Sequence, residues 1–206
     1  MNLPLELQNK YKVLKKDIQS KLKEFSVVKP DNYFYELCFC ICTPQSKAES
    51  AFAVQTKLIK QNFLENDFDP TQILRDPKHY IRFHNQKAKR LIEAKENWIL
   101  ISSVINSEIS GSDKRAWLYE NVKGIGMKES AHFLRNIGYR NLGILDRHIL
   151  KHLVSSGVFD EIPNISSRKN YEKVEKAFAD FADKNNIPMD ELDLLFWSYE
   201  AGLILK

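Results

Sequence analysis

Leu3, Leu7, Tyr11, Leu14, Ile18, Leu22 and Phe25 recur at steps of three or four, the spacing of one face of an α-helix. Lys10, Lys12, Lys15, Lys16, Lys21 and Lys23 fill the positions between them and read as a solvated face. The same period runs through most of the chain, and no stretch of useful length alternates apolar with polar residues. The one weak strand candidate, Cys38 to Cys42, has flanks that favour helix. The pattern therefore predicts an all-α fold.

Pro30-Asp31 reads as a helix start with Asp31 as N-cap, and the apolar run Tyr33 to Cys42 predicts a central buried helix. Thr43-Pro44 ends it and opens another, from Gln45 to about Phe63. Asn66 to Pro70 reads as a loop and Thr71 to Leu74 as a short helical turn. A longer helix is expected from about Asn85 to Val104, and further ones over 113–122, 127–137, 146–155, 166–185 and 189–203. No repeat or low-complexity linker marks a boundary. The 206 residues, 43% of them hydrophobic, are read as a single unit able to bury its core as one large domain or two small lobes.

Charge narrows the function only a little. Thirty-one basic against 27 acidic side chains leave +4, which is compatible with nucleic-acid binding without demanding it. The three cysteines, Cys38, Cys40 and Cys42, form a poor disulfide framework and lack the fourth thiolate of an iron–sulfur site. They read as small apolar residues in a buried segment of a protein in a reducing compartment. No signal peptide is visible, and no run approaches the about 20 apolar residues that span a bilayer. A cytoplasmic protein is expected.

The informative segment is Asn121-Val122-Lys123-Gly124-Ile125-Gly126-Met127-Lys128-Glu129-Ser130-Ala131. One helix ends at Val122, two glycines flank one apolar residue, and a new helix begins at once. Gly124 and Gly126 can take positive φ, so the turn is tight and its amides lie open, while Ile125 can plug between the two helices. Open amides at a helix N-terminus suit a phosphate group, and such a hairpin grips a DNA backbone without reading sequence. A plain helix C-cap followed by a short turn uses the same residues.

Lys128 falls in the first turn of the second helix, where the helix dipole disfavours a cation. An amine that attacks a sugar carbon has to be neutral, and positive potential favours that form; the bland alternative is a surface lysine on phosphate. Asp146 stands eighteen positions further on, in Ile144-Leu145-Asp146-Arg147-His148-Ile149-Leu150. It can cap the helix that follows it, and a carboxylate held there can also orient an amine and stabilise positive charge on a sugar as a base departs.

The order helix, Gly-x-Gly, Lys, helix, then a capping Asp resembles the helix-hairpin-helix (HhH-GPD) superfamily of base-excision repair glycosylases. More closely, K-G-I-G-x-K-E-x-x-H-F-L-R-N-x-G followed by I-L-D-R-H-I-L is similar to the type 2 8-oxoguanine DNA glycosylase/AP lyases. The likeness extends to Glu36-Leu37-Cys38-Phe39-Cys40, to Asp160-Glu161-Ile162-Pro163, and from Glu191-Leu192-Asp193-Leu194 through Trp197 to Lys206, and so covers most of the chain. It departs at Thr43-Pro44-Gln45-Ser46-Lys47, where Thr-Ala-Asn is frequent in that family.

The resemblance implies a two-lobed helical fold around the hairpin and catalytic loop at about 113–155. It makes Lys128 the nucleophile, Asp146 its carboxylate partner, and Gly124 and Gly126 the phosphate-binding turn. Physics alone reads the apolar tail ending in Lys206 as a packed terminus, whereas the family associates a terminal lysine with recognition of the oxidised base. Its carboxylate can accept a hydrogen bond from the N7–H that 8-oxoguanine has and guanine lacks, worth roughly 1.5–3 kcal/mol. An extruded base also has to be held between flat side chains. Trp197 is the leading candidate and Phe83 a second, each with a core aromatic as the alternative reading. Arg82, Lys87, Lys89 and Arg90 are phosphate contacts or a solvated face.

The expected activity is excision of 8-oxoguanine followed by β-elimination at the abasic site. The partner is duplex DNA carrying that lesion, and the chain is expected to act as a monomer, away from membranes. No catalytic metal or redox cofactor is expected, although the family allows a monovalent cation on the hairpin carbonyls. One rival is an oxidised-pyrimidine glycosylase/lyase of endonuclease III type, which usually carries a four-cysteine cluster absent here. The other is a non-catalytic DNA-binding hairpin module, which leaves Lys128, Asp146 and the tail unexplained.

Overall fold

The computed structural model describes residues 2–202. Those residues contain α-helices and one 3-10 turn, with no strand among them. The chain divides into two compact units, one formed by residues 1–27 and 134–206, the other by residues 28–133.

The first unit is organised on helix α1 (Leu5–Ser26), which buries Leu7, Tyr11, Ile18, Leu22 and Phe25. It packs on α11 (Met189–Ala201), which also contacts α9 (Arg147–Ser155) and α10 (Arg168–Lys184). Leu153, Phe178, Phe181, Leu192, Leu195 and Phe196 complete that core. A buried polar contact fixes the α1–α11 register: Tyr11 donates its hydroxyl to Glu191 Oε2 at 2.5 Å. Burial, and then the neighbouring carboxylate, raise the pKa of that phenol.

The second unit is built around α2 (Tyr33–Cys42), in which every residue from Phe34 to Cys42 is buried. Helices α3 (Ala48–Lys60) and α5 (His84–Glu96) pack on it. The short α4 (Thr71–Leu74), α6 (Trp98–Ile105) and α7 (Gly111–Asn121) follow in the same unit. Helix α8 (Met127–Asn136) begins in this unit, and the division falls between its residues Phe133 and Leu134. The three thiols are buried in α2 and are not joined in a disulfide. Burial pushes Cys42 up to about 12 and Cys38 well above the ordinary range, so both are unreactive packing residues.

Three of the expected elements change more than by a residue or two at an end, each for a local reason. Asp31 does not cap a helix: Pro30–Asn32 form a 3-10 turn running directly into α2 with no side-chain cap. The helix expected from Gln45 to Phe63 is shorter at both ends. Gln45 has φ 55° in a turn that delays its start, and Asn62, at φ 49°, stops it. The Asn62 and Phe63 amides then donate back to Ile59 and Leu58, a left-handed stop that closes the last carbonyls and buries Phe63. The helix expected over Asn85–Val104 is two, α5 and α6, broken at Asn97. The Asn97 side-chain amide donates to Glu93 O at 2.8 Å, competing with the helical ladder.

Lys87 is the least expected feature of this unit. It is buried rather than solvated, and its ammonium donates to Cys42 O at 2.8 Å, Pro44 O at 2.6 Å and Ser46 Oγ at 3.3 Å. A cation thus closes the C-terminus of α2 and ties down the loop that follows. Burial brings its pKa down to about 8. Replacing Lys87 by Met leaves the Cys42 and Pro44 carbonyls without this donor, and the expected loss is about 2–3 kcal/mol of unfolding free energy by urea denaturation at pH 7. An unchanged midpoint would show that the carbonyls find other donors.

Candidate active site

Helix α7 starts at an ordinary cap: Ser110 Oγ accepts the Asp113 amide at 3.1 Å. It ends at Asn121, and Val122 turns the chain into extended conformation. Gly124 follows at φ +95°, a region that a residue with a β-carbon seldom enters. Space is tight as well, since a β-carbon at Gly124 would lie 3.0 Å from Arg90 Cγ. Ile125 is buried beneath the turn.

Gly126 behaves differently from the expectation of positive φ, which it does not adopt. Its carbonyl accepts the Ser130 amide at 2.9 Å as the first acceptor of α8, and its own amide donates to Glu129 Oε2 at 3.1 Å. That is the returning half of a capping box, with Glu three places into the helix. The Gly126 amide is therefore engaged by a carboxylate rather than open, and glycine eases that close approach: an added β-carbon would lie 3.2 Å from Glu129 Oε2.

Lys128 is the second residue of α8 and about one-third exposed; its ammonium pairs with Glu129 Oε1 at 2.8 Å. Glu129 thus holds the turn with one oxygen and the lysine with the other. Sequence reasoning passed over it, although a glutamate at the third helical position after a glycine turn is a legible signal. Of the four basic residues read as phosphate contacts or a solvated face, Lys87 is internal and so no phosphate contact, while Arg82 and Lys89 are exposed. Arg90 is half-buried and pairs with Glu93 at 3.2 Å, as Lys123 does at 3.5 Å.

Asp146 lies in the other unit, and its placement is unusually well determined. Oδ1 accepts the amides of His148 at 2.8 Å and Ile149 at 2.9 Å, capping α9. The loop leading to it is held amide by amide. Asn141 N donates to Asp190 at 3.0 and 3.2 Å, and Gly143 N to Glu175 Oε1 at 2.7 Å. Leu145 N donates to the Tyr171 hydroxyl at 3.1 Å, which itself donates to Gly143 O at 2.6 Å. Asp146 N closes a tight turn onto Ile144 O at 2.7 Å. The holding residues come from α10 and α11, far along the chain, and carry no local sequence signal.

The remaining expected residues separate. Phe83 is exposed, not core, and sits at φ 60° with the Arg82 guanidinium 5.0 Å from its ring centre. A bulky residue in that region is strained. Trp197 is half-buried on α11. Lys206 lies outside the described residues. Phe83, Gly124, Gly126 and Lys128 belong to the second unit, Asp146 and Trp197 to the first. Among the described residues no group of His, Cys, Asp and Glu is disposed to hold a metal ion, and no helix is long and apolar enough to cross a membrane.

The model of the 8-oxoguanine DNA glycosylase family matches residues 18–187. The chain is 37% identical to the 8-oxoguanine DNA glycosylase/AP lyase of Fusobacterium nucleatum, over 98% of this chain and 96% of that protein. It is 35% identical to the enzyme of the same name from Methanocaldococcus jannaschii, over 94% of this chain and 93% of that protein. The crystal structure of the Methanocaldococcus jannaschii 8-oxoguanine glycosylase/lyase in complex with DNA containing 8-oxoguanine matches with a TM-score of 0.85 at 32% identity. The match covers 98% of this chain and 100% of that one.

The two glycines of the turn are expected to respond unequally to substitution. Gly124→Ala meets both the left-handed backbone and Arg90, and should lower unfolding free energy by about 1–3 kcal/mol. Gly126→Ala, whose obstacle is the end of a glutamate side chain, should cost less than half as much. Chemical denaturation of both variants checks the ranking, and a reversed order would contradict the backbone assignment.

Proposed function

Because the chain belongs to the 8-oxoguanine DNA glycosylase family of helix-hairpin-helix proteins, we propose that it excises 8-oxoguanine from duplex DNA and nicks the abasic site it creates. The observation that carries this reading is Lys128: an amine in the first turn of α8, immediately after the glycine turn, one-third exposed and held by Glu129.

The chemistry follows from what each residue can do. The turn at Gly124 and the start of α8 face phosphate, which positions the duplex without reading sequence. Exposed Phe83 and half-buried Trp197 are the flat side chains proposed to stack on bases, and Lys206 supplies the contact to the oxidised ring. Lys128, freed of its proton, forms a bond from Nζ to C1′ while the C1′–N9 bond breaks and the base leaves with that electron pair. Opening of the sugar ring gives an iminium at C1′. Loss of a C2′ proton then expels the 3′ phosphate by β-elimination. Asp146, fixed as the cap of α9, supplies negative charge as positive charge develops on the sugar. The family's monovalent cation, held by hairpin carbonyls, would help grip phosphate; neutral carbonyl donors suit such an ion, and no step above passes through it. We take the protein to act as a monomer on DNA in the cytoplasm.

Borohydride reduces the iminium and leaves protein bound to DNA. Trapping is expected on a duplex carrying 8-oxoguanine and not on an undamaged one; trapping on thymine glycol in preference would point to oxidised pyrimidines instead. Lys128→Gln should abolish trapping, a loss of at least about a thousandfold, while binding to the damaged duplex stays within about threefold. Removing Lys206 should reduce preference for 8-oxoguanine over guanine about ten- to a hundredfold and leave cleavage at a preformed abasic site nearly intact. Equal losses in both would remove the recognition role.

A further inference from the structure

Behind the loop that carries Asp146 lies a second carboxylate that the chemistry above does not use. Asp193, on α11, is buried. Its Oδ1 pairs with Arg135 Nη1 at 3.2 Å, and Arg135 is itself buried near the end of α8, over the face of Phe25 at 5.0 Å. Asp193 also takes a hydrogen bond from the Ile144 amide, two residues before Asp146, and the negative charge of Asp146 acts on it directly. Its Oδ2 is buried without a hydrogen-bond partner. With Arg135 and one amide as its partners and Oδ2 left without one, the buried carboxylate is incompletely compensated, an arrangement that packing alone does not require.

We propose that Asp193 is a positioning residue for Asp146: it holds the Ile144 peptide from behind and, when ionised, adds negative potential at the Asp146 carboxylate. The inference rests on the glycosylase reading. As the glycosidic bond breaks, positive charge builds on the sugar, and a second negative charge behind Asp146 lowers the energy of that state. Protonating Asp193 removes this contribution, and the positive charge of Arg135 opposes that protonation.

The charges facing Asp193 set where this switch lies. Burial is the largest influence and pushes it up to about 7 from an ordinary value of 3.8; Arg135 opposes, Asp146 and Asp190 add to the rise, and the Ile144 amide opposes. Asp190 is in turn hydrogen-bonded to Asn141 and faces Arg140 and Arg135. Glu175 of α10 is turned to Gly143, and from α9 the facing charge is Asp146 at its cap. Base excision by the wild-type protein should therefore rise as pH increases through about 7. Stability moves the other way. A carboxyl whose folded value is raised stabilises the fold while protonated in both states, and that contribution fades between pH 3.8 and about 7.

The test uses Asp193→Asn, Asp146→Asn and the wild-type protein. Single-turnover release of 8-oxoguanine by Asp193→Asn should lose the inflection near neutral pH, falling about tenfold at pH 8 and much less at pH 5.5. Its thermal unfolding should lose the downward slope with pH that is expected of the wild type below neutrality. Carbon-13 carboxyl NMR should place the Asp193 midpoint near neutrality in the wild type and lower in Asp146→Asn, where the facing charge is gone. A pH profile unchanged in Asp193→Asn, or reduced by one factor at every pH, overturns the proposal. So does an Asp193 midpoint that does not move in Asp146→Asn, which decides the matter even if Asp193→Asn fails to fold. A wild-type protein that titrates as described yet releases no base leaves the charge coupling standing and sinks the glycosylase reading.

Discussion

Asp146 Oδ1 takes two amides, those of His148 and Ile149, and this pair of hydrogen bonds is the constraint on which the first unit's contribution turns. The bonds start α9 and at the same time hold Oδ1 of the carboxylate in place. A cap needs only one residue of the right type, which is why it was legible. Precision in its placement comes from elsewhere: Asp190, Asp193, Glu175 and Tyr171 each take an amide of the approaching loop. An oxygen held this way needs no reorganisation when charge develops beside it, which is where electrostatic stabilisation gains most.

The second unit solves a similar problem with opposite charge. Lys128, the proposed nucleophile, stands on the first turn of a helix, and Glu129 ties that turn to the lysine through its two oxygens. Lys87, deeper in the same unit, holds the end of α2 and the Pro44 loop by backbone carbonyls. The position where the chain departs from its family's frequent Thr-Ala-Asn is thus clamped by a buried ammonium, and Gln45 takes a left-handed conformation within that clamp.

Helices, hairpin and cap were readable because each depends on neighbours in sequence. The period from Leu3 to Phe25 became α1, and Asp146 caps the helix it precedes. What escaped depends on contacts between distant residues or on backbone angles. Asn62 and Asn97 look like ordinary polar residues, yet one stops α3 with a positive φ and the other breaks a long helical pattern by bonding Glu93 O. Lys87 looks like a solvated lysine because nothing local announces the two carbonyls it serves. For Phe83 the sequence leaves a stacking side chain and a core aromatic both open, and the structure exposes it. Asp193 falls within a run of matched residues, but its pairing with Arg135 joins positions 58 apart.

The central claim is that Lys128 itself forms the bond to the sugar, and mapping the site of attachment tests it most directly. After borohydride reduction on a duplex containing 8-oxoguanine, nuclease digestion and peptide mass spectrometry should place the reduced sugar remnant on Lys128. A remnant on Lys123, on Lys87 or on the N-terminal amine, with Lys128 unmodified, would contradict the account.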